Sequence, residues 1–340
     1  MTLSLTHVRG DRITVAHGAA GTELFSYVYR PEADWEAPKP YLHPVRTLSG
    51  ALVTDYRPND HRWHKGLQLT ASHLSGQNLW GGNTYVHGEG YLALPERVGS
   101  MAHVAFAEVG AGADRAVIAE QLTWHPHGGG LWAEEERRIE VRDVDPDTGS
   151  WALTWTSAVT NRRAEPLRFG SPTTHGRPAA GYTGLFWRGP RAFRGGRVLT
   201  AETAASGRSG EPAAPSNFPE PSEFPEPSEI AEPSGALEGD PMGSQSSWLA
   251  YVGEHDGRDG HATLVFEHAP SNDHLGEKGT HPAHWFVRTD PFAAVAPSWA
   301  FHDELVLPPG ETLARTYRVV VADGAWDRAR VAAHLEGLAW

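Results

Sequence analysis

Short runs in which apolar and polar residues alternate one for one dominate this chain, and that period of two limits its fold most. Leu67, Leu69 and Ala71 alternate with Gln68, Thr70 and Ser72, and Trp151, Leu153 and Trp155 with Ala152, Thr154 and Thr156. Leu313, Tyr317, Val319 and Val321 continue the pattern near the C-terminus. Successive side chains of a strand point to opposite faces, so each run reads as a half-buried β-strand. Turn-forming strings separate them, among them Arg57-Pro58-Asn59-Asp60, Asp145-Pro146-Asp147 and Pro308-Pro309-Gly310. Many such strands predict an all-β fold, an antiparallel β-sandwich. One helix is expected, at the C-terminus, with Asp323 as its cap and Val331, Leu335 and Leu338 along one face.

A chain of 340 residues can form one large sandwich, and nothing in its middle forces a split, so residues 1–340 read as a single domain. The stretch from about 207 to 243 stands apart. It holds a near-repeat, Phe218-Pro-Glu-Pro-Ser-Glu and then Phe224-Pro-Glu-Pro-Ser-Glu, in which prolines remove backbone donors and favour extended, solvated chain. It is expected to be a disordered insert between strands.

The net charge of −13 argues against nucleic acid, whose phosphates call for a concentrated basic face. No run approaches the roughly 18 apolar residues that cross a bilayer, and the opening residues lack the basic start and apolar block of a signal peptide. Cysteine is absent, which removes disulfides and thiolate metal sites and agrees with a reducing compartment. The expectation is a cytoplasmic protein with no membrane partner; the oligomeric state leaves no mark in the sequence.

Three polar clusters carry the candidate chemistry. The densest runs Asn59-Asp60-His61-Arg62-Trp63-His64-Lys65-Gly66, followed by Asn78, Trp80, Gly81, Gly82 and Asn83. His61 and His64 would face opposite ways in an extended chain, and converge only if a turn bends between them. Asp60 is placed to orient a neighbouring imidazole. The second cluster holds His175, Arg177, Tyr182, Trp187 and Arg188 among small residues that let a ligand approach. The third holds His274, His281, His284, Trp285 and Arg288. Its His281-x-x-His284 spacing lacks a carboxylate at a telling distance, so no metal and no other cofactor is expected. Of the thirteen tryptophans, Trp151 and Trp155 read as core, while Trp63, Trp80 and Trp285 lie beside polar clusters. An aromatic ring next to hydrogen-bonding groups suits a sugar, whose C–H face lies on the ring while its hydroxyls meet the polar atoms.

The stretch Arg46-Thr-Leu-Ser-Gly-Ala-Leu-Val-Thr54, with Asp60-His-Arg-Trp-His-Lys-Gly66 and Asn78-Leu-Trp-Gly-Gly-Asn83, resembles the bacterial PmoA-like family. So do Gly170-Ser-Pro-Thr-Thr-His-Gly-Arg177 and Ala180-Gly-Tyr-Thr-Gly-Leu-Phe-Trp-Arg188. That family bears a methane-oxygenase label but has no assigned function, and this chain has no apolar run fit for a membrane oxygenase subunit. The resemblance implies a β-sandwich akin to the galactose-mutarotase-like supersandwiches. The reading is therefore a carbohydrate-active protein: an isomerase or epimerase, lyase or hydrolase acting on a sugar or oxidised sugar. His61, His64 and His175 are its acid/base candidates, with Asp60 orienting one imidazole. Trp63, Lys65, Trp80, Asn83, Arg177, Tyr182, Arg188, His281 and His284 would contact the ligand. The alternatives are a non-catalytic sugar-binding or sensor protein and a metal-dependent oxygenase.

Overall fold

A computed structural model describes residues 2–32, 34–201, 241–273, 280–338 and 340. Most of the insert expected at about 207–243 lies outside them. Two eight-stranded antiparallel sheets face one another. In the first, the Tyr41–Val45, Leu67–Thr70, Gly184–Arg188, Ala294–Ser298 and His284–Arg288 strands lie side by side in that order. The second is centred on Ser150–Asn161 and Thr312–Asp323, paired with Trp155 opposite Tyr317, Leu153 opposite Val319 and Trp151 opposite Val321. A three-stranded sheet (Leu305–Leu307, Leu167–Gly170, His73–Leu74) and a two-stranded one (Thr84–Val86, Gly90–Leu92) complete the strands.

Alternation decides what each face carries. Leu67, Leu69, Leu185, Trp187, Trp285 and Val287 of the first sheet point between the sheets, where they meet Trp151, Trp155, Tyr317 and Val319 of the second. Burying a large apolar side chain contributes roughly 1.5–3 kcal/mol, so this shared core holds the two sheets together. Trp151 and Trp155 are core, as the sequence indicates, and Trp285 joins them: its ring is fully buried and its Nε1 donates to the Ser246 carbonyl at 2.6 Å.

The core is not wholly apolar. Glu135 and Arg137 share the inward face of the Ala133–Asp145 strand with Ile139 and Val141. Arg137 donates to both Glu135 oxygens at 2.8 Å, and the same carboxylate accepts from Trp124 at 2.9 Å and Ser157 at 2.8 Å. Tyr27 donates to Glu120, which His103 also meets at 2.5 Å. Each buried charge thus has partners, the condition for tolerating it there.

The C-terminal helix spans Arg328–Glu336 and buries Val331 against Trp326, Trp248 and Val320. Its cap is Asp327, whose carboxylate accepts from the Arg330 amide, and not Asp323. Asp323 ends a long strand instead, and its carboxylate accepts from the Ser49 amide and hydroxyl. The strand runs on because Asp323 still pairs with Ala262.

Candidate functional site

The outer face of the first sheet carries what alternation withholds from the core. Phe186 and Arg188 of one strand, Ala294 and Ala296 of the next, and Phe286 and Arg288 of the edge strand all point that way. Register sets Phe186 and Phe286 on either side of Ala296, and Arg188 and Arg288 on either side of Ala294. The two alanines between them are fully buried, as are both phenylalanines. Trp80 and Phe301 bury against this face, with Trp63, Tyr182 and Phe292 partly buried at its edge.

Loops bring the remaining groups. The Asn59–Gly66 segment folds as two successive turns, with the His61 amide donating to the Pro58 carbonyl at 3.0 Å and the His64 amide to the His61 carbonyl at 2.9 Å. The second turn closes the three-residue gap, so the His61 and His64 rings stack with centroids 4.7 Å apart. His61 Nδ1 meets Asp60 Oδ2 at 2.7 Å, and Arg188 Nη1 meets His64 Nδ1 at 3.1 Å. Arg188 also lies 3.9 Å from Asp60 and stacks its guanidinium 3.9 Å from the centre of the Phe292 ring.

These partners assign the tautomers. A carboxylate only accepts, so His61 carries its proton on Nδ1 and keeps a lone pair at Nε2. A guanidinium only donates, so the neutral His64 accepts at Nδ1 and bears its N–H at Nε2. Burial pushes the His64 pKa well below the usual 6.5, helped by the charges of His61, Arg188 and Lys39. His61 is also lowered by burial, against the pull of Asp60. Both rings are neutral at pH 7, one an acceptor and the other a donor.

An ion-pair hub underpins the loop. The buried Glu36 carboxylate takes Lys65 Nζ at 2.8 Å and Arg57 Nη2 at 2.6 Å. Desolvation pushes Glu36 up, but the hydrogen bonds from Arg57 and Lys65 outweigh it and leave the pKa lowered. Lys39, also buried, donates to the Trp80 carbonyl at 2.8 Å and the Ala37 carbonyl at 3.1 Å. The Asn78–Asn83 loop is tied by Asn78, whose Oδ1 accepts from the Trp80 and Gly81 amides at 2.9 and 2.8 Å. Gly82, at φ +64°, sits under the Trp63 ring, and any Cβ there would collide with it.

A family model described as a family of unknown function (DUF6807) matches residues 14–336. The chain belongs to DUF6807. The match gives no support to the PmoA-like resemblance drawn from the motifs. Among curated proteins, nothing matches. Among solved structures, the Slr1438 protein from Synechocystis sp. PCC 6803 is 8% identical with a TM-score of 0.37, covering 95% of this chain and 96% of that one. The alpha-galactosidase from Lactobacillus brevis is 10% identical with a TM-score of 0.38, covering 96% of this chain but only 40% of that one. Likenesses this faint carry no argument about function.

In this DUF6807 protein the residues singled out in the sequence come together only in part. Asp60, His61, Trp63, His64, Trp80, Tyr182 and Arg188 form one contiguous cluster in which His64, Trp80 and Arg188 are buried: Trp80 lies 5.4 Å from His64 and 4.5 Å from Tyr182, ring to ring. Arg177 joins through Tyr91, to which it donates while Tyr91 meets the Tyr182 hydroxyl at 2.7 Å. His175 turns elsewhere, stacked 4.0 Å from His73 with its Nδ1 2.9 Å from the Ser171 carbonyl. His281 and His284 take separate partners, the Trp299 carbonyl at 2.6 Å and Gln245 at 2.9 Å. Lys65 is in the hub with Glu36, and Asn83 is exposed at the loop rim. Residue His274 lies outside the described residues. Among those described, no cluster of three or more His, Asp or Glu is placed to hold a metal, and no helix is long and apolar enough to cross a membrane.

Glu36, Tyr91 and Phe292 belong to the site without having been singled out. Glu36 has no local signal, because its partners come from a separate loop. Phe292 lies partly buried in the bend before the Ala294–Ser298 strand, where Asp290-Pro291 was the available turn signal.

Proposed function

We propose that this protein binds a carbohydrate-like ligand on the outer face of the first sheet and moves a proton on it, as an isomerase, epimerase or lyase does. The observation that carries the reading is the stacked His61–His64 pair in opposite tautomers. A lone pair at His61 Nε2 suits a general base, and an N–H at His64 Nε2 suits a donor to an oxygen that gains charge or a proton. Asp60 holds His61 in its tautomer and stabilises the imidazolium that forms when it takes the proton. Arg188 holds His64 neutral and oriented. Trp63 and Tyr182, both partly exposed, offer aromatic rings beside these polar atoms, with the buried Trp80 packed behind them, and such a combination suits a pyranose ring.

The test is a panel of neutral and acidic sugars, with binding followed by calorimetry and proton transfer by wash-in of solvent deuterium. Wild-type protein is expected to bind at least one sugar and exchange a carbon-bound proton. His61→Ala and His64→Ala should keep binding and lose at least 100-fold of the exchange rate, since positioned acid/base groups supply roughly 10²–10⁴-fold. Binding without exchange or conversion would favour the sensor reading, and no binding by any sugar would end both.

A further inference from the structure

Phe292 meets three of the four groups in the Asp60–His61–His64–Arg188 cluster, yet the mechanism above gives it no part. It lies in the bend two residues before Ala294, the direct partner of Arg188, and packs against the apolar cluster that holds Ala294 and Ala296. The centre of its ring is 3.9 Å from the Arg188 guanidinium, 5.1 Å from the His61 ring and 5.7 Å from the His64 ring. Arg188 itself is short of partners for a cation so deeply buried, at 2% exposed. Its Nη1 donates to His64 Nδ1 at 3.1 Å, while its Nε meets no partner among the described residues. The Asp60 carboxylate lies 3.9 Å from Nη2, beyond hydrogen-bond range. Burial lowers the Arg188 pKa against the pull of Asp60 and Asp55.

Two acceptors therefore compete for one guanidinium. Asp60 Oδ2 already holds His61 Nδ1 at 2.7 Å, and the same oxygen is the one 3.9 Å from Arg188. A shift of roughly 1 Å would bring Nη2 into hydrogen-bond range of it. A cation prefers a carboxylate to a neutral imidazole, so charge alone favours that shift. It would draw Asp60 away from His61 and leave His64 Nδ1 without its donor, and neither imidazole would then have a fixed tautomer. The Phe292 ring opposes the shift, because an aromatic face attracts a guanidinium, and most strongly where water is excluded.

We propose that Phe292 is a positioning residue that keeps Arg188 on His64 and off Asp60, and so keeps the two imidazoles in opposite tautomers. This rests on the acid/base reading above and names what controls the same site. The ring acts through Arg188 and needs no contact with the ligand. An aliphatic side chain of similar bulk would fill the same space and exclude water, but it has no π face to hold the cation. The role therefore calls for an aromatic ring at position 292, and an apolar residue without one does not meet it.

The tautomers can be read without any ligand, from nitrogen NMR spectra of the histidine-labelled full chain at pH 7, with the two rings assigned through His61→Gln and His64→Gln. Wild type is expected to show His64 bare at Nδ1 and protonated at Nε2, and His61 the reverse. Phe292→Leu should turn each ring into a mixture of tautomers, whereas Phe292→Tyr, which keeps the aromatic face, should hold the wild-type pattern. Phe292→Met, apolar and ringless, gives the same reading if circular dichroism shows that the leucine variant does not fold. With a sugar that exchanges its proton, Phe292→Leu should lower the exchange rate roughly tenfold and leave KM within about threefold, since the loss falls on proton transfer. Unchanged tautomers in Phe292→Leu, or a mixture in Phe292→Tyr as well, overturn the positioning role and leave the sugar reading standing. Like tautomers on both rings of the wild type overturn the role and the acid/base reading together. Failure of every sugar to bind, with tautomers fixed in wild type and mixed in Phe292→Leu, ends the sugar reading and upholds the positioning of the rings.

Discussion

At the scale of single residues, the site depends on what each partner is able to do with a proton. Asp60 can only accept from His61, and Arg188 can only donate to His64, so two stacked imidazoles end in opposite states. In Asp60→Asn the amide still accepts from Nδ1 but no longer stabilises an imidazolium. The His61 pKa, already lowered by burial, should fall further. The base works when neutral, so the acidic limb of the rate profile should lie below pH 6.5 and move lower still in the variant, with a smaller plateau rate. A limb that stays put would remove His61 as the base. Glu36 gives a second prediction, for stability. It and Lys65 are both almost fully buried, and removing one member of a buried pair typically costs 3–5 kcal/mol. Glu36→Gln should lose about that much in urea unfolding, whereas Arg62→Gln, at an exposed guanidinium 3.5 Å away, should lose less than about 0.5 kcal/mol. The density of Asp60, His61, Trp63 and His64 was legible because those residues are neighbours in sequence. Glu36 was not, because a hub is defined by where its partners arrive and not by its own flanks.

At the scale of elements, parity was the readable signal. Leu67 and Leu69 face the core, Gln68 and Thr70 face out, and the same rule places Arg188 and Arg288 on the outer face of their strands. It also places Glu135 and Arg137 inside, where composition alone would put them in water. What parity does not supply is the path of a loop. The rings of His61 and His64 meet through two turns that no alternation encodes, and His175 joins His73 although both lie in strings rich in small residues. The helix start was misplaced by one turn of chain for a similar reason: Asp323 is followed by Gly324 at φ +84°, which resembles a cap in sequence but here marks the end of a strand. Asp327→Ala is therefore expected to cost about 1 kcal/mol, the usual value of an N-cap, as read by urea unfolding. Gly82→Ala tests the loop. Its left-handed backbone costs an L-residue roughly 1–2 kcal/mol, and the new methyl must push the Trp63 ring aside. Sugar affinity should drop by at least tenfold with the protein still folded; unchanged affinity would mean Trp63 does not touch the ligand.

At the scale of the whole molecule, the sandwich was legible and its family was not: alternating strands and turns specify two packed sheets, while the motifs led to a PmoA-like resemblance that the DUF6807 match does not support. The fold also sets how the protein answers to pH, because covering the outer face of the first sheet and the small side sheet buries histidines in neutral form. Burial holds His73 down to about 3, with the charges of His175 and Arg97 adding to it, and holds His43 down to about 4. Unfolding releases both into water, where a histidine binds its proton near 6.5. From pH 6.5 down to those values the unfolded chain therefore holds more protons than the native one, and stability rises with pH across that window. The contribution is fully present above 6.5 and is lost as the solution is acidified. Each such group tilts the curve by roughly 1.4 kcal/mol per pH unit in the ideal case, His73 coming nearer to this than the less buried His43. Urea unfolding at pH 7.0 and 5.0 should show the native state weaker by a few kcal/mol at the lower pH. His73→Gln removes one titrating group and should flatten the slope even if it lowers stability at both values. Equal slopes for wild type and variant would mean that His73 takes up its proton in the native state, and that its pocket opens to water well before the sandwich unfolds.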